Sequence, residues 1–531
     1  MSTTDDPRAG TGRPTAEPVD EPRGPGRIRR LGIGGSDVPI LGAVAVAATA
    51  IYGQVVTSTY AIADDATLLF DARRDNTTIL DVNVGGGRVL NGIVQQAAME
   101  LSTDISSLRW LRLLGVIGLT LVAVVIALAA RRVGCGRVAA TAMAVIALAM
   151  PASQFIGSWA IMFVTTWSAL AGLAAGLLLR RPAPSSGWSS GWTSGWTSWL
   201  PSLPALAVLS AALAVYQPGA MAYFAGGLIV AVAPGPAVRD RWALLGRAVT
   251  TFVAAMVIHY VQFQLVVAVR GAEANSRAEI ATDVIGKLTW YLQEVLTRSL
   301  WPFGFEAHTG RALAVAGLCA VGLVLLTDGW HRLVALVAAA GALVGAYGPN
   351  LVIVDQWPAA RTRLGLDLTV AVLVGLAGAG YLRALRRVIG ERTTTERTLA
   401  VLGVGATVAL AGWAAWQISV YVVRPLSVEY ALIEQAVARL DADPDVAVTV
   451  IRADWRDSIA PGVFADEFGL PLSGQPWSAR DVVRIELGRR TRELPPIELV
   501  ARDDRDAALG RDPVIDFPGL LAALRDPAPS S

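Results

Sequence analysis

Val38 to Tyr60 reads VPILGAVAVAATAIYGQVVTSTY, and the acidic pair Asp64-Asp65 stands just beyond it. No charged residue interrupts the run, and a helix of this length matches a hydrocarbon core of about 30 Å. The stretch is too long for the apolar part of a cleavable leader and lacks a small-residue cleavage pattern, so it reads as an uncleaved span. Residues 1–37 before it are rich in Pro, Gly, Asp and Arg without apolar periodicity, which predicts a disordered tail. Arg27, Arg29 and Arg30 close that tail and place it in the cytoplasm by the positive-inside rule.

Further apolar stretches run at about Leu113 to Ala130, Val138 to Ile156, Trp159 to Leu179, Ala248 to Val269, Leu313 to Leu326, Leu333 to Val352, Leu366 to Leu382 and Leu399 to Val423. Leu203 to Ala233 is broken at Tyr216-Gln217-Pro218-Gly219 and reads as two short helices in a hairpin whose tip faces outward, with a re-entrant loop as the alternative. The sum is about eleven crossings. Arg131 and Arg132, Arg180 and Arg181, Arg239 with Arg241 and Arg247, Arg332, and the cluster Arg383, Arg386, Arg387 fall at alternate turns, as one cytoplasmic face requires. Outer segments then cover 61–112, 270–310 and everything from 424 onward.

The fold class expected is an all-α polytopic membrane domain over 38–423, followed by a small extracytoplasmic α/β domain over 424–531. Its elements are a helix near Glu429 to Leu440, a strand near Val446 to Ile451 and a helix near Ala479 to Arg489. Composition agrees: 53% of the 531 residues are hydrophobic, and the mean hydropathy is +0.49. The 45 basic and 43 acidic residues nearly cancel, so no global field marks a nucleic-acid partner. Lys287 is the single lysine, and Cys135 and Cys319 offer neither a disulfide framework nor a metal spacing. Trp188, Trp192 and Trp196 recur every fourth residue and read as interfacial anchors.

The middles of the spans are nearly free of ionisable groups, which argues against a transport path and moves the candidate site to the outer surface. Asp367 is the exception, expected near the outer end of its helix within reach of water. Asp64-Asp65, so close to the lipid boundary, feel partial desolvation and each other's charge, which suits one of them to accept a proton; a solvated acidic loop would contain the same residues. Asp71, Arg73, Arg74 and Gly87-Arg88 follow. Asp355-Gln356-Trp357-Pro358 with Arg361 and Arg363 fills a later short loop, where paired arginines can grip a phosphate or simply anchor helices. Trp290, Tyr291, Trp301, Pro302 and Phe303 suggest an amphipathic helix in the interface. His259 and His308 lack a second ligand at metal spacing, so no metal is assigned. Neither a phosphate-binding glycine loop nor a Gly-x-Ser-x-Gly elbow is present.

In their order and shared side, Asp64-Asp65 after the first span, Gly87-Arg88, the Tyr216-Gln217-Pro218 hairpin and Arg361 with Arg363 resemble the GT-C superfamily of membrane glycosyltransferases, and more narrowly its GtrII-like group. The stretch Asp466 to Pro471 with Trp477 resembles the C-terminal region of related actinobacterial membrane proteins. The resemblance implies transfer of a sugar from a polyprenyl-phosphate donor to a glycan, lipid or protein acceptor of the cell envelope, outside the plasma membrane, without a cofactor. One of Asp64 and Asp65 would then be the general base and the other would orient it. Arg361 or Arg363 would stabilise the leaving phosphate, and Arg73, Arg74, Arg88, Tyr216, Gln217 and Asp355 would line the substrate site. Metal use differs within the superfamily. A transporter or flippase of a lipid-linked saccharide, relying on Asp367, is the alternative, and an outer domain that merely binds an envelope partner is a third reading.

Overall fold

The computed structural model describes residues 37–74, 77–180, 200–234, 237–271, 279–301, 304–389, 393–440, 443–464, 468–491 and 493–525. The expected cytoplasmic tail up to residue 36, the tryptophan repeat, Arg181, Pro302, Phe303, Asp466 and Glu467 lie outside the described residues. Helices dominate. Among the described residues seven are long and apolar enough to cross a bilayer: Val38–Thr57, Ile105–Arg132, Ala160–Leu177, Val238–Arg270, Thr309–Leu326, Leu364–Ile389 and Arg397–Ala438. The chain is a multi-pass membrane protein. Arg137–Ala149 and Pro151–Ser158 make an eighth crossing if this pair, bent by 58°, counts as one. Leu203–Val215, His331–Gly345 and Tyr223–Ala231 are apolar but shorter, at about 14 to 23 Å, and do not reach across a full hydrocarbon core alone.

We label the first helices α1 (Val38–Thr57), α2 (Asp64–Ala72), α3 (Thr78–Gly85), α4 (Val89–Glu100), α5 (Leu108–Arg132), α6 (Arg137–Ala149), α7 (Pro151–Ser158) and α8 (Phe163–Leu177). α8 sits at the centre of the bundle, packed between α5 and the broken pair Leu203–Val215 and Tyr223–Ala231. Small residues allow that approach, since a Cβ added at Gly172 would lie 2.2 Å from the Ala220 carbonyl oxygen and one at Gly176 2.1 Å from that of Tyr223. Where the pair breaks, Ser168 Oγ donates to the carbonyls of Ala212 and Tyr216 at 2.9 and 2.8 Å, so the interrupted backbone keeps its partners. At the periphery, Val249, Val253, Val257 and Leu265 on one helix and Val401, Leu402, Val404 and Val408 on another remain exposed, an apolar belt suited to lipid.

The bend between α6 and α7 has a local cause. Met150 is extended ahead of Pro151, which starts α7 and ends the ladder of α6. Ser153 Oγ and Gln154 Nε2 donate to the freed carbonyls of Ala147 and Ala149, both at 2.7 Å. Asp367 accepts the Ala152 N–H at 3.1 Å, placing a carboxylate on the N-terminus of α7.

The last membrane helix does not stop where apolar residues give way to polar ones. It passes through one π turn, Ser419–Val423, and continues as Arg424–Ala438, so residue 424 lies inside a helix. Beyond it stands a three-stranded parallel sheet in the order β2-β1-β3, with β1 Val448–Ile451, β2 Ile497–Val500 and β3 Val514–Asp516. Helices Pro476–Gly488 and Phe517–Arg525 complete this α/β unit. Glu429, fully buried on the continuing helix, holds the unit in place. Its carboxylate accepts the N–H groups of Leu472 and Ser473 at 2.7 and 2.9 Å and the Ser473 hydroxyl at 2.5 Å. Phe468 stacks on Phe305 at 3.9 Å and packs on Phe155 at 5.2 Å, so the domain rests on the same end of the bundle as the loops after α1 and α7.

Candidate active site

The acidic pair divides its labour by burial. Asp64 opens α2 and is half-buried, whereas Asp65 is wholly buried. Asp65 accepts the N–H of Ile62 at 2.9 Å and that of Ile161 at 3.1 Å, so each of its oxygens is occupied by backbone. It therefore acts as a clamp between the start of α2 and the turn Ala160–Met162, and it offers no free edge to an acceptor. Ala63, directly before the pair, has φ +36°, a conformation an L side chain adopts only under constraint. That strained residue turns the chain so that Asp64 faces outward while Asp65 points in.

Other groups hold the same corner. Arg112, buried on α5, donates to the carbonyls of Val55, Tyr60 and Ser58 at 3.1, 2.9 and 2.9 Å, and its guanidinium lies 4.1 Å from the Tyr60 ring centre. The far side of the Ile161 peptide is fixed as well, because Gln95 Nε2 donates to its carbonyl at 2.7 Å. Gln95 in turn accepts from Asn83, which accepts from Asn91. Thus α3 and α4 brace the turn that braces Asp65.

Asp64 has a partner that its own neighbourhood in the chain does not supply. Trp477, at the start of the helix Pro476–Gly488, donates its indole N–H to Asp64 Oδ1 at 2.9 Å. The C-terminal domain thereby reaches back over 413 positions to the first outer helix. The second carboxylate oxygen has no partner in that contact.

Burial pushes the Asp65 carboxyl up to about 7, against the pull of the Ile62 N–H, Arg112 and the Ile161 N–H, with Asp64 adding to the rise. Its pKa is thus raised above the unfolded value of about 4. Between those values the native state holds a proton that the unfolded chain has lost, so this group's contribution to stability falls as pH rises from about 4 through about 7. We expect the thermal midpoint of the wild type to drop between pH 5.5 and 7.5, and Asp65→Asn to remove that slope. A slope unchanged in the variant would assign it to another group.

A second cluster forms around Gly87, whose φ of +74° is open to glycine and strained for other residues. A Cβ there would stand 3.4 Å from both Gln217 Nε2 and His259 Nε2. Arg88 beside it donates from Nε to Gln217 Oε1 at 3.2 Å, and its guanidinium sits 4.8 Å from the Tyr216 ring centre. Gln217 Nε2 donates to the Gly86 carbonyl at 3.1 Å and lies 3.0 Å from His259 Nε2. Arg88, Tyr216 and Gln217 are therefore together, and His259 joins them.

Arg361 and Arg363 part company. Arg361 is half-buried, with its guanidinium 4.0 Å from the Trp357 ring centre and 4.9 Å from that of Trp159. Arg363 is 2% exposed, 3.9 Å from Asp367 and 3.4 Å from Ser299 Oγ, which places it inside the bundle and out of reach of a head group. The expectation that water reaches Asp367 fails for the same reason, since α7 and Arg363 cover it completely. Asp355 receives Lys287 Nζ on its backbone carbonyl; that lysine lies buried 4.5 Å from the Trp290 ring centre and pins the loop carrying Arg361. Burial lowers the lysine's pKa, with Asp355 opposing. The turn Gln217–Ala220 touches the turn Ala360–Thr362, so a series of contacts links Arg88, Tyr216, Arg361, buried Trp159 and the Ile161 turn to Asp65. Arg73 and Arg74 lie outside this series, at the other end of α2. Among the described residues no group of His, Cys, Asp or Glu side chains converges as a metal site would require.

No family model and no curated protein matches the chain. Among solved structures it is similar to the archaeal oligosaccharyltransferase AglB from Archaeoglobus fulgidus, in complex with an inhibitory peptide and a dolichol-phosphate. The likeness has a TM-score of 0.42 at 13% identity and covers 89% of this chain and 70% of that one. At that level it assigns neither substrate nor reaction.

Proposed function

We propose that the chain is a GT-C-type membrane glycosyltransferase, GtrII-like, that moves a sugar from a polyprenyl-phosphate donor to a cell-envelope acceptor on the outer face of the plasma membrane. The observation that carries this reading is the half-exposed carboxylate of Asp64, set at a strained helix start beside buried Asp65, which a series of contacts links to two aromatic-held arginines. In this reading Asp64 takes the proton of the acceptor hydroxyl as its oxygen attacks the anomeric carbon. The bond from that carbon to the phosphate oxygen breaks, and polyprenyl phosphate leaves as an anion that needs no strong acid. Arg88 and Arg361, each fixed against an aromatic ring, stabilise the charge gathering on that phosphate. Tyr216 and Gln217 keep Arg88 in position, and Lys287 does the same for the loop of Arg361 through Asp355.

The test supplies membranes carrying the protein with polyprenyl-phosphate-linked [14C]hexoses and follows label into lipid-free product together with free polyprenyl phosphate. Arg361→Ala is expected to lower kcat/KM for the donor about 10- to 100-fold. An unchanged kcat/KM would remove Arg361 from the site. The flippase reading requires labelled lipid to cross vesicles without acceptor and depends on Asp367. That carboxylate is buried with the Ala152 N–H on one oxygen and Arg363 3.9 Å from the other, away from water, which favours the transferase.

A further inference from the structure

The far end of α2 meets the far end of the helix Pro476–Gly488 across a cleft of about 430 Å³, within the size range of small-molecule sites. Arg73, Arg74, Arg484, Arg489 and Arg490 line it with Phe70, and among the described residues no carboxylate does. Arg74 and Arg484 both lie against the Phe70 ring, at 4.8 and 5.2 Å from its centre, which fixes two guanidinium groups in advance of any ligand. Acidic groups stand nearby: Asp481 is 3.3 Å from Arg484, Glu486 and Glu434 are 2.9 and 3.2 Å from Arg489, and Asp71 and Asp104 are close enough to feel Arg74 with Arg484 and Arg489 with Arg73, respectively. Arg73, Arg74 and Arg490 form no ion pair among the described residues. Guanidinium donors at the rim of the cleft therefore remain available to an anion.

The cleft is aligned with the acidic pair. Trp477 meets Asp64 at one end of the two helices and Arg484 meets Phe70 further along, so both helices run side by side from Asp64 toward the arginines. α2 has nine residues, which sets the cleft about 13 Å from Asp64, a few residues along a saccharide chain. It is separate from Arg88 and Arg361, where the leaving phosphate is placed above.

We propose that this cleft binds the phosphate or carboxylate group of an anionic saccharide acceptor and so selects which acceptor presents its hydroxyl to Asp64. Guanidinium forks suit such groups because they donate two parallel hydrogen bonds to adjacent oxygens. The role as acceptor site rests on the transferase reading; the binding does not, and it is measured without turnover.

The full chain in phosphatidylcholine nanodiscs is titrated calorimetrically with glucose 6-phosphate and with glucose. Binding of the phosphorylated sugar alone is expected, weakening as salt is raised. Arg73→Gln with Arg490→Gln should weaken it about tenfold or more while the thermal midpoint stays put, since neither arginine is ion-paired. Asp64→Asn should bind as the wild type does, so a dead transferase with an intact cleft would separate the two readings. Equal affinity in the double variant, or equal binding of glucose, would overturn the proposal. Loss of glucose 6-phosphate binding when phosphatidylglycerol is added to the disc would also overturn it, by giving the cleft to a lipid head group.

Discussion

Asp64→Asn should transfer sugar about 10²- to 10⁴-fold more slowly than the wild type, the range lost when a positioned general base is removed. The substitution is a clean probe because Asn keeps an oxygen that can accept the Trp477 N–H, now 2.9 Å from Asp64 Oδ1. The domain contact and the start of α2 should survive, and the thermal midpoint should not move. KM for the lipid donor should stay within about twofold, since a base acting only in the transition state contributes to kcat and not to donor binding. Asp65→Asn behaves differently. It puts an amide N–H against the N–H of Ile62 or Ile161, so it loses stability along with rate. Wild-type turnover by Asp64→Asn would place the base elsewhere and end the assignment.

Arg112→Leu is expected to have the next largest effect, and through a different route. Three carbonyls, those of Val55, Ser58 and Tyr60, take their donors from this one buried side chain. Leucine leaves them without partners at the end of α1, where the helix already leaves carbonyls to be satisfied. A loss of about 3 to 5 kcal/mol follows for a buried group of this kind, read as a lower midpoint in detergent. The chain between Ser58 and Asp64 is then free to shift, and a displacement near 1 Å costs about 10²-fold in rate. Arg112→Lys, with one ammonium in place of a planar fork, should fall between. A leucine variant as stable and as fast as the wild type would deny Arg112 its positioning role.

How far the sequence reveals this protein varies with the range of the interactions concerned. Apolar runs are local signals, and each stretch marked as a possible crossing is helical; their lengths are less legible, because a helix such as Tyr223–Ala231 is short for reasons that lie in its neighbours. The strand at Val448–Ile451 and the helix Pro476–Gly488 are visible as alternation and periodicity within three residues of their ends. The site was legible as composition and not as geometry. Adjacent aspartates announce that a proton acceptor is available, but nothing in the dipeptide says that Ile161 will occupy Asp65, or that Trp477 will reach Asp64. Arg361 and Arg363 look alike in the chain. Only the fold separates them, because residue 363 immediately precedes the helix that carries Asp367 and faces the same interior. Arg112 carries no motif beyond a basic side chain within the first turns of an apolar helix, and His259, well inside its helix, carries no such hint.

The helix that leaves the bilayer without a break spans 42 residues from Arg397 to Ala438, or about 63 Å. A rod of that length works as a lever: tilting it by five degrees swings its tip by about 5 Å. Bilayer thickness is one influence on tilt, so the lipid composition around the protein becomes a mechanical input, felt at the distant tryptophan that touches Asp64.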